Sequence, residues 1–164
     1  MVDMTNAFHA GFVVPDLVST IDSYRAVLST DWTPIQTTDL ALRGPDGPFS
    51  VTMRMAFSTD GPVRIELIEP IDGTPWEQPC HPALGAMSVH HIAFWCDDLA
   101  EASTQMAELG ARLLVTLDNG QDDGVSGFTY HRMPDGAIVE LVDSRSRRAF
   151  ERWFAGGPFP AQRR

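Results

Sequence analysis

The chain contains no lysine, and all twelve of its basic residues are arginine. Without that amine there is no Schiff-base nucleophile and no Walker-type phosphate loop. Cysteine is almost as scarce. Cys80 and Cys96 are too few for a disulfide framework, which fits a reducing cytoplasmic setting. No run of about 18 apolar residues exists, so the sequence offers no membrane span. The opening MVDMTNAFHAGF has neither a basic start nor a long apolar core, so it does not read as a signal peptide. Positive charge is in deficit too. The net charge of −10 argues against nucleic acid as a partner. That deficit is uneven: six of the twelve arginines fall after residue 143, with a single acid among them. A basic tail on an acidic body is expected to dock on its own body or on a partner subunit.

What is present is an internal repeat. Residues 8–17 read FHAGFVVPDL and residues 90–99 read HHIAFWCDDL. In each, a histidine precedes an aspartate by seven positions, and the aspartate precedes a leucine and a helical pattern. Asp16 and Asp98 fit the helix N-cap, where a side-chain oxygen accepts an orphan backbone N–H. Gly110 is placed to end the second helix. Strand-like segments follow each helix, near 32–36, 48–57 and 63–69 in the first half. In the second half they lie near 111–116, 125–133 and 137–142. Asp60-Gly61 and Asp135-Gly136 read as hairpin turns. The order β-α-β-β-β therefore occurs twice. Between the copies, IDGTPWEQPCHPALGAM reads as ordered loop. By this correspondence His91 is the counterpart of His9, and His90 the counterpart of Phe8. Neighbours on a strand point to opposite faces, so His90 is expected on the face away from His91.

The last strands of the two halves correspond as well. RIELIEP sets Glu66 between Ile65 and Leu67, and AIVELVD sets Glu140 between Val139 and Leu141. A glutamate buried between large apolar neighbours is costly without a partner. Both halves supply the same pair, a histidine on the first strand and a glutamate on the last. His9, Glu66, His91 and Glu140 meeting across a pseudo-twofold would form an N2O2 site for a divalent metal.

With FHAGFVVPDL, VRIELIEP, VHHIAFWCDDL and MPDGAIVELVD in this order, the chain resembles the vicinal oxygen chelate superfamily of glyoxalases, bleomycin-resistance proteins and dioxygenases. The resemblance covers residues 7–143. Its pattern is most similar to methylmalonyl-CoA epimerase and bacterial glyoxalase I. It implies an α+β fold in which two βαβββ modules form a cup-shaped mixed sheet, with a short C-terminal helix added. The expected layout is one domain over 1–164. It comprises a first module at 7–69, a linker at 70–87, a second module at 88–143 and a basic tail at 144–164. Position by position, the resemblance makes His9, Glu66, His91 and Glu140 the ligands of one divalent ion per site (Zn, Ni, Co, Mn or Fe). It also implies a small-molecule substrate, an acyl thioester or a 2-oxo compound, and a homodimer without nucleic-acid or membrane partners.

The implied activity is that of a metal-dependent isomerase, epimerase or lyase. A proton next to a carbonyl is abstracted, with a metal-stabilised enolate or enediolate. Two alternatives are an iron-dependent dioxygenase and a metal-free drug-binding resistance protein. The positions that hold glutathione in bacterial glyoxalase I are Val13 and Pro70 here, which speaks against that cosubstrate. Thr52 stands where the epimerase carries its base, so Glu140 or Glu66 is expected to serve as the catalytic base. Arg54, Thr52, Trp95 and Tyr130 are expected to bind substrate. Arg64 shares the parity of Glu66, and either Tyr130 or His131 faces inward. Cys96 reads as an inert buried thiol. Phe150, Trp153 and Phe154 fall on one side of a short tail helix that covers part of the cup or a subunit interface.

Overall fold

Period-two patterning accounts for the sheet. Val51, Met53, Met55 and Phe57 are buried on one face of their strand and share a cluster with Leu40 and Leu42 from the next. The computed structural model describes residues 3–72, 76, 88–120 and 124–160. After a 3-10 turn at Met4–Asn6 come β1 (Ala7–Val13), α1 (Leu17–Leu28), β2 (Gln36–Gly44), β3 (Gly47–Phe57) and β4 (Arg64–Asp72). The same order returns as β5 (Ser88–Cys96), α2 (Leu99–Glu108), β6 (Arg112–Leu117), β7 (Phe128–Arg132) and β8 (Ile138–Asp143), and α3 (Arg147–Phe154) follows. The βαβββ unit thus occurs twice, as the repeat predicts.

The eight strands close into a barrel in the order β1-β4-β3-β2-β6-β7-β8-β5. The two halves meet twice. β1 pairs antiparallel with β5 along most of its length, whereas β2 meets β6 only at Leu42↔Leu117 and Arg43↔Thr116. Closure leaves no free sheet edge. The first and last strands of each half pair in parallel, β1 with β4 and β5 with β8. Consequently β4, β1, β5 and β8 are consecutive staves of the barrel.

The helices lie outside. Leu17 and Ile21 of α1 pack on Trp32, Ala56 and Leu67, while Leu99 and Met106 of α2 pack on Phe94 and Leu141. Asp16 accepts from the Ser19 N–H at 3.0 Å and Asp98 from the Glu101 N–H at 2.9 Å. Each cap contributes about 1 kcal/mol. Gly110 takes φ 84° just past α2, a conformation that favours glycine.

Two expectations shift. Residues 32–36 do not form a strand: Trp32 makes an isolated bridge to Ser58, and β2 starts at Gln36. Register explains the displacement. Leu40 and Leu42 are buried while Ala41 is exposed, and Gly44 pairs with Gly47 across a turn at Pro45-Asp46. The tail docks on its own body through apolar side chains: Trp153 and Phe154 join the cluster that fills the barrel, with Phe150 packed against it. Two of its arginines pair locally instead, Arg145 with Asp143 and Arg147 with Glu151. Among the described residues, no helix is long and apolar enough to cross a membrane.

Candidate metal centre

Four consecutive staves each contribute one polar side chain to the same point: Glu66 from β4, His9 from β1, His91 from β5 and Glu140 from β8. All four are buried. The two Nε2 atoms of His9 and His91 lie 2.8 Å apart. Glu140 Oε2 is 3.0 Å from each of them, and Glu66 Oε2 is 3.2 Å from each. Donors around a tetrahedral ion with bonds of about 2.05 Å are roughly 3.3 Å apart. The cluster therefore has nearly the dimensions of a coordination sphere. Both Oε2 atoms are fully enclosed and, like His9 Nδ1, make no well-formed hydrogen bond among the described residues. Buried donor atoms converging on one point fit a cation, and the two-nitrogen, two-oxygen donor set suits a divalent metal.

The backbone reaches this arrangement through two bulges. In the β1–β5 ladder Ala7 opposes Phe94 and His9 opposes Ala93, so Phe8 is an extra residue. Gly11 opposes His91 and Phe12 opposes Val89, so His90 is extra on the other strand. This corrects the expected placement of His90. Strict alternation would turn it away from His91. The bulge breaks alternation, and His90 is 5% exposed with its Nδ1 2.9 Å from His91 Nδ1. The His90 ring also meets Tyr130 edge-on, with centroids 5.5 Å apart. Gly11 completes the seat. A Cβ built there would lie 2.1 Å from Cε1 of His91, so the imidazole rests where any side chain at position 11 would be.

The histidines are held in different ways. His9 lies between the rings of Phe8 and Phe57, both perpendicular to it. His91 is held by His90 and the Tyr130 ring, whose centroid is 4.9 Å away. Electrostatics in the metal-free cluster is a contest between burial and charge. Burial disfavours the imidazolium of His91, but the Glu140 and Glu66 carboxylates prevail and raise it to about 9. Burial likewise pushes Glu66 upward, and His9 and His91 overcome it and bring it down to about 2. His9 is raised and Glu140 lowered for the same reasons.

The other candidates divide. Trp95 and Tyr130 face inward. Trp95 stacks on Phe8 with centroids 3.8 Å apart, and the Tyr130 hydroxyl accepts from the Trp76 indole N–H at 3.3 Å. Arg54 and Thr52 do not reach the cluster, because their neighbours Met53, Met55 and Val51 take the inner face. Arg54 pairs outside with Glu69 at 3.1 Å, and Glu69 also accepts from the Leu17 N–H at the start of α1. The Thr52 hydroxyl donates to Asp39 at 2.7 Å. Cys96 is a free, half-buried thiol whose pKa is pushed up to about 11 by burial and then by the neighbouring aspartates. Cys80 and His81 lie outside the described residues. His90 and Gly11 escape an alternation-based reading. The available signal was a second histidine beside His91 and a glycine two residues after His9.

His131 points the opposite way from Tyr130. It is buried, and neither ring nitrogen has a hydrogen-bond partner among the described residues. Burial pulls its pKa below the ordinary value, so the unfolded chain takes up the proton more readily. Stability from this group is present above about pH 6.5 and is lost as pH falls below it. His131→Leu is expected to raise Tm by a few degrees at pH 5, about 1 kcal/mol, and by less at pH 8. Thermal melts of the two proteins at both pH values check this, and an equal gain at both would refute it.

Comparison with known proteins agrees with this architecture. An uncharacterized protein of Bacillus subtilis, YqjC, is 31% identical over 99 residues, which are 57% of this chain and 66% of that protein, just under two thirds of its length. Methylmalonyl-CoA epimerase from Mycobacterium tuberculosis superposes with a TM-score of 0.57 at 19% identity, over 87% of this chain and 92% of that one. A mutant 4-hydroxymandelate synthase from Streptomyces coelicolor gives 0.57 at 17% identity, over 84% of this chain and 48% of that one. At these identities the superpositions speak for the fold alone. The family model for the glyoxalase/bleomycin resistance protein/dioxygenase superfamily matches residues 8–129. That is well over half of the sequence, and the chain belongs to this superfamily.

Proposed function

We propose that the protein is a metal-dependent isomerase or epimerase that abstracts a proton next to a carbonyl in a 2-oxo compound or acyl thioester. The observation that carries this reading is the buried cluster of His9, Glu66, His91 and Glu140, whose donor atoms lie 2.8–3.2 Å apart around one point. His9, Glu66, His91 and Glu140 would hold a divalent ion, which would supply Lewis-acid stabilisation of the oxyanion that develops as the proton leaves. The carboxylate oxygen of Glu140 or Glu66 receives that proton and returns it, so one residue serves as base and then as acid. Phe8 and Phe57 press on His9 and hold its Nε2 toward the carboxylates. Phe57 also contacts Trp153 and Phe154, so α3 packs against the same ring that holds His9.

Four protein groups at one point favour this reading over a dioxygenase, which needs open positions for both substrate and oxygen. They also favour it over a drug-sequestering protein, which has no use for them. The experiment pairs metal analysis with solvent deuterium exchange into 2-oxo acids and acyl thioesters. Glutamine at either position keeps a neutral oxygen but cannot accept the proton. Glu140→Gln is expected to retain metal and lose exchange by about 100-fold or more. Glu66→Gln, tested beside it, reveals whether the two carboxylates share the role. Full exchange by both variants would refute a glutamate base. Absence of metal after reconstitution of the wild type would refute the reading as a whole.

A further inference from the structure

Beside the cluster stands a cation that the proposed chemistry does not use. Arg64 opens β4 two residues before Glu66 and shares its inward parity. It is also the register partner of His9 in the parallel β1–β4 pair. Paired residues on parallel strands project to the same side and lie about 4.8 Å apart, and residues i and i+2 about 7 Å apart. The arginine is therefore next to two of the four cluster residues, on the same face of the sheet.

Among the described residues Arg64 has no ion pair, and its Nε is buried without an acceptor. The guanidinium carbon sits 4.2 Å from the centre of the Phe154 ring, a contact that orients the plane but supplies no counter-charge. Glu151 and Asp60 act on it only from a distance, and Glu151 is already taken by Arg147. Arg64 also lines a cavity of about 130 Å³ with Phe8, Trp95, Phe154 and the paired Arg147 and Glu151. Phe8 separates that cavity from the cluster by one ring, edge-on to His9 at 4.4 Å between centroids. A guanidinium presents its donors in a planar fork that matches carboxylate or phosphate oxygens. A half-buried arginine with no ion pair among the described residues, beside a small cavity, has donors available for an anion.

We infer that Arg64 and the cavity beside it bind an oxyanion of the substrate, a carboxylate or phosphate group carried a few bonds away from the carbon that loses its proton. The inference rests on the isomerase reading for its substrate but not for its anion. It narrows the substrate to a small anionic carbonyl compound and assigns Arg64 the choice among such compounds.

The test uses the full chain stripped of metal, so that no ion at the cluster can hold the probe. Malonate and inorganic phosphate are titrated separately by calorimetry into wild type and Arg64→Gln. At least one probe is expected to bind the wild type, and Arg64→Gln to weaken it tenfold or more. The stronger probe tells carboxylate from phosphate. In the wild type, the Arg64 Nε–H resonance is expected to move during the titration, which keeps the test valid should the variant misfold. Equal binding by the variant, binding without movement of that resonance, or no binding by the wild type would overturn the proposal. If Arg64-dependent anion binding is found but the loaded protein never exchanges a substrate proton, the seat stands and the isomerase reading falls. Proton exchange with anion binding indifferent to Arg64 gives the reverse.

Discussion

Replacing Gly11 with alanine is expected to abolish tight metal binding while leaving the barrel folded. The added Cβ would lie 2.1 Å from Cε1 of His91, 2.5 Å from its Nδ1 and 2.6 Å from its Nε2. No rotamer of alanine relieves this, since the methyl group is fixed to the backbone. The ring itself must leave, and it can do so only by giving up its place among His9, Glu66 and Glu140. Overpacking of this kind typically costs about 1–3 kcal/mol in stability. The larger consequence is loss of one of four donors. The expected result is metal content falling from near-stoichiometric to background, as for His91→Ala, with a Tm lowered by roughly 5–10 °C. Plasma mass spectrometry and a melting curve decide it. An alanine variant that holds metal as the wild type does would show that the ring is not seated on Gly11.

His90 is the second position with a large expected effect. A histidine that ligates through Nε2 carries its remaining proton on Nδ1, and that N–H needs an acceptor to fix the ring. For His91 the group at hand is His90 Nδ1, 2.9 Å away. His90→Phe keeps a flat ring and removes the acceptor. Metal affinity is expected to fall about 10–100-fold, measured by competition with a chromophoric chelator. His90→Gln, whose side-chain oxygen can accept the same N–H, is expected to recover part of that loss. An affinity unmoved in both variants would mean that the His90 contact does not orient the ligand. His9 offers the internal contrast: its Nδ1 is buried without a hydrogen-bond partner among the described residues, and its ring is held by Phe8 and Phe57. Its position depends on packing where that of His91 depends on a hydrogen bond.

Much of this molecule is legible in the chain alone because duplication makes the signal redundant. A strand histidine or a strand glutamate by itself means little. His9 with Glu66 and His91 with Glu140, at corresponding places in two copies of one β-α-β-β-β order, imply convergence before any coordinate is known. The N-caps Asp16 and Asp98 and the turn at Gly110 were equally readable, since capping and left-handed glycine geometry depend on a few adjacent residues. Tertiary structure decided the rest, for reasons that local pattern does not contain. The bulges at Phe8 and His90 arise from the pairing of β1 with β5, and that pairing alone turns His90 inward against strict alternation. Which face of β3 is the inner one was set by the barrel, so Met53 and Met55 fill the core and Arg54 goes outside to Glu69. Arg64 came to stand half-buried beside His9 only because β4 lies parallel to β1 in register with it. Sequence determined which residues exist in matched pairs; register and closure of the sheet determined which of their neighbours share the interior with them.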